Sequence, residues 1–561
     1  MRLLPTILAA VVFLGCQTTP PDYRALTEQF EAGDEVSPGR VREAFLSADD
    51  LPARMERLND LEAQALAVVD DEPLKLGSIG SAILDTYIGS LTGHFVLARF
   101  YDHVSNPKAD FHERWVDRIQ ADMEAAGDGS SEQPYPAVTP VEARMYALSK
   151  NWNPVGSIYQ GKDDNFSLLL LVRPEERPVK DLVFDLSPLY DTMREEFNAA
   201  AKRMPRKSKQ PDDEAAQDRE PDFTPFTLIG YLAKRNDTAA QAAVGAYLAQ
   251  QRQLGDAVDW LRAASRTGNL MANLLLADIF RAQAQVAEDD AIREKAMDQV
   301  MENYLHAIAL GSADAMYALG VLYLNGHYGE DNRISGVPLL KQAAALDYSD
   351  ATVFLAHLHY AGEVVDKDLD AARRLYVESA AQGNDLARKS YARFLLDREA
   401  GQPGDARAVE WLEELAEDGE PESMLLLGNL HARGVGTRQS LRRAVGYYKQ
   451  AVKQAPTDPN IVNEVAWTLA VSDQHDLRRE RYARDIMDHL MDSNGEARER
   501  PEYLDTWAAT YAATGDFERA VSLQQQAVDV AREAEYETVL DILVEHLEAF
   551  NAGETISEAV P

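Results

Sequence analysis

The strongest pattern of apolar and polar positions lies at residues 312–455, where one 36-residue pattern occurs four times without a gap. Large apolar residues recur at helical spacing in each copy, and small residues recur beside them in three columns. The small columns are Ala315, Ala351, Ala387 and Ser423; then Gly320, Ala356, Ala392 and Gly428; then Gly336, Ala372, Ala408 and Ala444. Because small side chains let helices touch, each copy predicts two amphipathic helices that cross closely. One such pair cannot bury its own apolar stripe, so the pairs are expected to stack into an α-solenoid.

A different pattern precedes the repeats. Helical spacing of apolar residues predicts helices at 41–69, 76–104 and 110–124. Short apolar segments rich in branched residues follow, and they predict a three-stranded antiparallel meander at 155–160, 166–172 and 179–186. Residues 41–198 are therefore expected to form an α+β domain. The predicted fold class is mainly α: a C-terminal α-solenoid of helix-turn-helix repeats preceded by a smaller α+β domain.

The predicted helix at 76–104 is apolar on much of its surface, and Gly89 and Gly93 lie four residues apart in it. Inside a membrane this spacing is typical of helix dimerisation. Asp85, His94 and Arg99 would be costly in lipid. The segment therefore predicts a core helix packed closely at its glycines.

The remaining segments set the expected boundaries. Residues 199–225 combine a basic cluster and an acidic cluster with prolines and few apolar residues, which predicts a disordered linker. Solenoid repeats are expected over 226–455 and further helical repeats over 456–550. In the degenerate copy before the regular ones, seven extra residues fall in AQVAEDDAIREK and are expected to lengthen a loop. Polar segments at 16–40 and 551–561 are expected to be a tether and a frayed tail.

The repeats resemble a known family at specific positions. The motif A-x-x-x-LG-x-x-Y-x-x-G occurs as Ala315, Leu319, Gly320, Tyr323 and Gly326, and in part as Leu427, Gly428 and Gly434. It resembles the Sel-one-like subclass of tetratricopeptide repeats, although Tyr391, Ala392 and Arg398 depart from it in the third copy. PEYLDTWAATYAATGDFERAVSLQQQAV resembles an ordinary tetratricopeptide repeat, and NEVAWTLAVS a bacterial variant. The resemblance implies a solenoid over about 238–550 and leaves the function open, because such repeats are scaffolds for many partners.

Composition narrows the class of protein. The chain has 561 residues, 45% of them hydrophobic, so it can bury a large core. Its 93 acidic and 56 basic residues give a formal net charge of -37. Since phosphate contacts need a basic face, this charge excludes nucleic acid as a sequence-independent partner.

The first residues have the features of a signal peptide. One arginine precedes an apolar stretch that is too short to span a membrane, and Cys16, the only cysteine, follows it. FLGC resembles the bacterial lipoprotein box, which implies a signal peptide at 1–15 and a lipidated Cys16 that holds the protein on a membrane. By the same resemblance, Gln17 implies the outer membrane, with the protein facing the periplasm. The alternative is an ordinary secreted protein, or a short anchor, in which Cys16 is an incidental thiol.

Candidate chemistry is sparse. His94, His103 and His112 are nine residues apart, so on one helix neighbouring members face opposite sides and cannot share a metal. A break at Asn106 and Pro107 would change that, but H-E-x-x-H and other ligand signatures do not occur. Neither G-x-S-x-G nor a phosphate loop is present. We therefore expect no metal, no cofactor and no enzyme activity.

The resemblance also implies a binding surface, because in this repeat family the first helix of each pair lines the concave face. The positions carried over give an aromatic group and a cationic, amide-bearing group: Tyr317, His357 and Tyr360, and then Lys389, Arg393, Asn429 and Arg433. Lysine and asparagine at such positions resemble the carboxylate clamp of some tetratricopeptide proteins. The alternative is that solenoid grooves always display some charge and that Arg393 pairs with Asp397 along one helix.

Two hypotheses follow. The first is a membrane-anchored scaffold of the bacterial cell envelope that binds one or more unknown envelope proteins in the solenoid groove. The second is an envelope-glycan enzyme, or a regulator of one, that acts through the α+β domain at 41–198. A pocket with convergent carboxylates in that domain would favour the second hypothesis.

Overall fold

The computed structural model describes residues 22–32, 35–162, 165–175, 177–203, 223–398, 400, 403–534 and 536–560. The predicted signal peptide and Cys16 lie outside these residues. The chain divides into two compact units, Met1–Leu319 and Gly320–Pro561. The sequence places its main boundary at 199–225, whereas the structure divides after Leu319.

Helices dominate the start of the first unit. They are α1 (Tyr23–Glu31), α2 (Pro38–Leu46), α3 (Leu51–Val68), α4 (Leu76–Thr86), α5 (Leu91–His103), α6 (Ala109–Ala126) and α7 (Pro140–Ser149). A short 3₁₀ helix, Pro73–Lys75, precedes α4. None of the described helices is both long and apolar enough to span a bilayer.

The predicted tether contains part of the fold. Leu26 of α1 is buried, and the Tyr23 hydroxyl donates to the Thr86 carbonyl at 3.3 Å and accepts the Ile88 N–H at 3.0 Å. The tether prediction is therefore wrong for residues 22–32. Only three apolar side chains in that segment contact the core, which is too few for a periodic pattern to reveal.

The predicted helix at 76–104 is two helices. The chain turns between α4 and α5, where Ser90 caps α5 by accepting the Gly93 N–H at 3.1 Å. The glycines then let α4 and α5 pack closely: a Cβ on Gly93 would lie 2.6 Å from Leu84 Cδ2, and one on Gly80 2.6 Å from Leu97 Cγ. The close packing at Gly93 is confirmed, whereas Gly89 lies in the turn.

The predicted meander is confirmed. Its strands, with a short additional strand before them, are β1 (Tyr135–Pro136), β2 (Asn153–Lys162), β3 (Asn165–Arg173) and β4 (Lys180–Asp185), in the order β1-β4-β3-β2. β2, β3 and β4 are antiparallel neighbours, and β1 pairs with β4 in parallel. Phe166, Leu168, Leu170 and Val172 lie on the core face of β3, and Leu171 on its other face is buried as well.

Seven helices follow the sheet and complete the first unit or begin the second: α8 (Ser187–Arg203), α9 (Pro225–Ala233), α10 (Thr238–Gln250), α11 (Leu254–Ser265), α12 (Leu270–Val286), α13 (Asp290–Ala309) and α14 (Ala313–Leu324). Residues 204–222 of the predicted linker lie outside the described residues. The seven extra residues predicted to lengthen a loop lengthen α12 and α13 instead, since only residues 287–289 separate these two helices.

One hydrophobic core joins the sheet to the helices that follow it. It extends from Leu26 to Val244. Across the predicted linker, the Tyr190 hydroxyl donates to the Phe223 carbonyl at 2.6 Å, and the Asn269 side chain donates to the Ser157 carbonyl at 2.7 Å. The first helical repeats therefore pack directly on β2.

The second unit is a stack of helix pairs. After α14 they are α15 (Gly336–Ala345), α16 (Ser349–Ala361), α17 (Leu369–Ala381), α18 (Asp385–Leu396), α19 (Ala406–Glu417), α20 (Pro421–Arg433), α21 (Leu441–Gln454), α22 (Pro459–Val471), α23 (Glu480–Ser493), α24 (Pro501–Ala513), α25 (Phe517–Glu533) and α26 (Glu537–Asn551). Two 3₁₀ helices, Glu330–Ser335 and Glu496–Glu499, lie between them. The predicted α-solenoid is confirmed.

All twelve residues of the small columns are buried, and members of the second and third columns lie where the helices of a pair cross. A Cβ on Gly336 would lie 2.3 Å from the Gly320 carbonyl oxygen, and one on Gly428 would lie 2.3 Å from Tyr448 Cε1. These crossings therefore admit no larger side chain without movement of a helix.

The tail is not frayed in the described residues. After α26 the chain returns to α22, and Glu558 forms a parallel β-bridge with Ser472. Val560 is buried in the core of the second unit. The prediction of a frayed tail is wrong for residues 552–560. It rests on the polar composition of the segment, which reveals neither the β-bridge of Glu558 nor the burial of Val560.

Candidate functional site

The predicted aromatic group is divided between the two units. Tyr317 lies on α14 in the first unit, and His357 and Tyr360 lie on α16 in the second. His357 Nε2 is 3.3 Å from the Ser390 hydroxyl, and the Tyr360 hydroxyl donates to the Asp397 carboxylate. Both side chains are half-buried and tie α16 to the next repeat. Burial, with the nearby Arg393, lowers the pKa of His357.

The predicted cations meet carboxylates of the neighbouring repeat. Lys389 Nζ lies 2.7 Å from Glu422 Oε2 and 3.2 Å from Glu420 Oε1. Arg393 pairs with the same Glu422. Glu420 also caps α20, since its side chain accepts the Ser423 N–H. α18 and α20 are therefore linked by a cluster of two cations and two carboxylates.

Asn429 forms hydrogen bonds inside the fold. Its side chain is 3% exposed. Its amide N–H donates to Glu464 Oε1 at 3.1 Å, and its amide oxygen accepts the Tyr448 hydroxyl at 2.7 Å. Burial raises the pKa of that tyrosine. The amide therefore orders the contact of α20 with α21 and α22.

Arg433 lies at the end of α20 and donates to the Leu396 carbonyl at the end of α18. Burial, together with the nearby Arg398, lowers its pKa. Arg398 in turn donates to the carbonyl of Val560. The C-terminal tail therefore approaches the predicted site from one side.

The structure thus brings Lys389, Arg393, Asn429 and Arg433 onto two neighbouring first helices, α18 and α20. Each of them has an acceptor within the chain. A carboxylate-bearing partner would therefore compete with Glu420, Glu422, Glu464 and the Leu396 carbonyl for their donors. Sequence reasoning missed these glutamates. Their only signal is the 36-residue period, which places Glu420 and Glu422 in the copy next to Lys389.

The first unit holds a buried histidine pair. The break between α5 and α6 brings His94 Nδ1 to 3.0 Å from His112 Nδ1, while His103 is exposed. His94 Nε2 lies 3.0 Å from the Ile88 carbonyl, which can only accept. His94 therefore carries its hydrogen on Nε2, and His112 donates from Nδ1 to the bare Nδ1 of His94.

Both histidines are held neutral. Burial and the neighbouring His112 lower the pKa of His94 from 6.5 to about 3. Burial and the nearby Lys108 lower the pKa of His112 from 6.5 to about 4. Among the described residues, no three His, Cys, Asp or Glu side chains are placed to hold a metal ion. The two imidazoles therefore form a hydrogen bond inside the core.

Two buried carboxylates, Glu62 and Glu142, lie near the start of α5. The Thr139 hydroxyl donates to Glu62 Oε2, and the Ser90 hydroxyl to Glu62 Oε1 at 3.4 Å. Glu142 accepts the backbone N–H groups of Leu91 at 3.3 Å and Val138 at 2.7 Å. Burial and the neighbouring Glu142 raise the pKa of Glu62 from 4.5 to about 8. Burial raises the pKa of Glu142 as well, but its two backbone donors and the nearby Arg42 lower it in part. Glu62 is therefore the member of the pair that holds a proton more strongly.

Comparison with known proteins identifies the repeats. The Sel1 repeat family matches residues 313–348, 349–384, 398–420 and 421–456. The chain therefore contains Sel1 repeats, as the sequence motif predicts. The third match is shorter than the others and begins at Arg398, where the sequence departs from the motif.

The chain is similar to a Sel1-repeat-containing protein and to solved structures. The Sel1-repeat-containing protein YjcO of Escherichia coli K12 is 27% identical over 152 residues, or 26% of this chain. The chain spans 64% of the length of this relative. The crystal structure of c5321, a protective antigen present in uropathogenic Escherichia coli strains displaying an SLR fold, aligns with 96% of this chain and 99% of its own at 15% identity and a TM-score of 0.42. A Sel1 repeat protein from Oxalobacter formigenes aligns with 45% of this chain and 100% of its own at 22% identity and a TM-score of 0.36.

Proposed function

We propose that this Sel1-repeat protein is a lipid-anchored scaffold of the bacterial cell envelope, which faces the periplasm from the outer membrane and binds a partner protein on its first helices. The observation that carries the proposal is the repeat itself, a fold typical of protein–protein interaction scaffolds. The lipoprotein box at Cys16 supports the anchor.

The binding surface that we propose is the face of α18 and α20 around Lys389, Arg393 and Glu422. Arg393 has 49% of its side chain exposed, and Glu422 30%. The surface therefore offers a partner both a guanidinium and a carboxylate that are already held in place. Such preorganised charges favour partner selection and fast association more than raw affinity.

The rival function, an envelope-glycan enzyme or its regulator, has less support. The convergent carboxylates of the first unit, Glu62 and Glu142, are only 1% and 4% exposed. Their oxygens accept hydrogen bonds from Ser90, Thr139 and two backbone N–H groups. They are placed to hold α3, α5 and α7 together rather than to meet a glycan.

The Cys16→Ser variant tests the anchor. Without the thiol no lipid can be attached, so the variant should leave the membrane fraction and remain as a soluble or unprocessed form. The measurement is fractionation with metabolic labelling by a palmitate analogue, with wild-type protein as the reference. A variant that still takes up the label would refute lipidation at this residue.

The double variant Lys389→Ala, Arg393→Ala tests the surface. Loss of two charged donors should weaken partner capture by about tenfold or more. Glu420 and Glu422, the carboxylates that would lose these cations, are 31% and 30% exposed to water. The free energy of unfolding should therefore fall by only about 1–2 kcal/mol. Capture is measured by crosslinking and pull-down from detergent-solubilised membranes.

Arg388→Ala is the matched control. Arg388 lies on the same helix, but it pairs with Glu414 of α19, at 3.2 Å, and so points to the other side of the repeat. Its replacement should leave capture unchanged. Equal recovery of the same proteins with the double variant and with the control would move the binding surface elsewhere.

A further inference from the structure

The segment after α26 lies on the second unit as an extended peptide. The Glu558 N–H donates to the Val471 carbonyl at 2.8 Å, and the Glu558 carbonyl accepts the Asp473 N–H at 2.7 Å. These two bonds add a short parallel strand to the turn that ends α22. Backbone pairing of this kind accepts any sequence, so selectivity comes from the side chains beside it.

Three side chains of the solenoid recognise the segment. The Trp467 indole N–H donates to Glu558 Oε2 at 3.0 Å. Arg478 donates to the Ser557 hydroxyl at 3.4 Å, and Arg398 donates to the Val560 carbonyl. We refer to Arg398, Trp467, residues 471–473 and Arg478 as the tail site. Two arginines and an indole N–H in an acidic chain form a surface suited to a carboxylate-bearing peptide.

The side chains of the segment are buried at alternate residues only. Val560 is buried at 2% exposure, and Ile556 and Glu558 are half-buried, whereas Ser557 and Ala559 are exposed. This period of two is that of a single bound strand. Residues 551–555, which connect the segment to α26, are all exposed. The segment is therefore held by few contacts and tethered by a solvated connection.

Such an arrangement has the properties of an internal ligand. A short tether gives the segment a high effective concentration at its site, so weak contacts suffice to keep it bound. A peptide from another protein with the same contacts can replace it when that peptide is itself held nearby by a second interaction. The tail site shares no residue with the proposed surface at Lys389, Arg393 and Glu422, so the inference stands independently of the proposed function.

We propose that the tail site binds an extended acidic peptide of a partner protein, and that residues 556–560 occupy the site as a displaceable internal ligand. The pattern recognised is a carboxylate two residues before a small aliphatic side chain, as in Glu558 and Val560. The backbone of the peptide pairs with residues 471–473, its carboxylate meets Trp467, and its aliphatic side chain fills the space of Val560.

The test uses a fluorescein-labelled peptide of residues 554–560 and a chain that ends at residue 553. Fluorescence polarisation should show that the shortened chain binds the peptide at least about tenfold more tightly than the full chain, in which the internal segment competes. A peptide of the same composition in scrambled order should not bind. Trp467→Phe in the shortened chain should weaken binding by about fivefold or more, since it removes the donor to the carboxylate. A shortened chain that keeps its circular dichroism and melting temperature yet does not bind the peptide would overturn the proposal.

Hydrogen exchange in the full chain tests whether the segment is displaceable even if the shortened chain does not fold. A displaceable segment opens without unfolding α22, so the Glu558 amide should exchange at least about 100-fold faster than amides in the middle of α22. Exchange of Glu558 as slow as that of α22 would mean that the segment leaves only when the unit unfolds, which contradicts an internal ligand.

Discussion

In wild-type protein the first unit is expected to lose stability as the pH rises from 6.5 to 8, and replacing Glu62 by glutamine is expected to prevent most of that loss. Glu62 has a pKa of about 8 in the folded chain, against an ordinary value of 4.5. Between these two values the folded state keeps a proton that the unfolded state releases. The free energy of unfolding therefore falls as the pH rises, by about 1.4 kcal/mol per pH unit.

Over the range from pH 6.5 to 8 this amounts to about 2 kcal/mol for wild-type protein. Glutamine has nearly the same shape, and its side-chain oxygen can accept the bond that Thr139 donates to Glu62. It has no proton to lose, so its stability should change less with pH. At pH 8 the variant should be the more stable of the two proteins.

Native-state hydrogen exchange of peptides from α3 and α7, at pH 6.5 and 8 and corrected for the intrinsic exchange rate, measures the effect in the unit that contains Glu62. Glu56→Gln is the matched control, because Glu56 is exposed on the same helix. It should follow wild-type protein at both pH values. A Glu62→Gln variant with the wild-type pH dependence would show that Glu62 is ionised in the folded chain.

At lower pH the histidine pair makes the free energy of unfolding change in the opposite direction. His94 and His112 have pKa values of about 3 and about 4, below the ordinary 6.5. Between these values the unfolded state binds protons that the folded state excludes, so stability falls as the pH falls below 6.5. Together with Glu62, the pair predicts a maximum in the stability of the first unit at about pH 6.5. Steadily rising stability from pH 6.5 to pH 8 in wild-type protein would contradict this.

The Gly428→Ala variant is expected to destabilise the second unit by about 1–3 kcal/mol. The new Cβ would lie 2.3 Å from Cε1 and 2.5 Å from Cδ1 of Tyr448. That ring is fully buried, and its hydroxyl is held by Asn429. The ring cannot turn aside without breaking this bond, so α20 and α21 must separate.

Gly446→Ala is the control for helix propensity. Gly446 lies inside α21, and a Cβ there would meet nothing within 4 Å. Alanine is favoured over glycine in a helix, so this variant should be stabilised by about 0.5–1 kcal/mol. Urea unfolding of both variants, with hydrogen exchange in α20 and α21, separates the two effects. A gain in stability for both would show that the crossing at Gly428 is looser than the structure indicates.

The repeating part of the protein can be predicted from the sequence alone. Helix pairs, their small crossing residues and the three-stranded meander follow from local spacing, because the period of apolar residues depends only on neighbours a few positions away. The small columns can be predicted without knowing which helix packs against them, since a close crossing requires small residues in every case. Lipidation at Cys16 stays a prediction from the same local pattern.

Which polar groups contact each other depends on the tertiary structure. Glu62 and Thr139 are 77 residues apart, and Arg398 and Val560 are 162 apart. Lys389 was predicted to face a partner but has Glu420 and Glu422 beside it. A buried or half-buried charge needs a partner of opposite charge or a hydrogen-bond partner within the fold. Which residue lies opposite it depends on how the repeats stack, and the local period of the sequence does not contain that information.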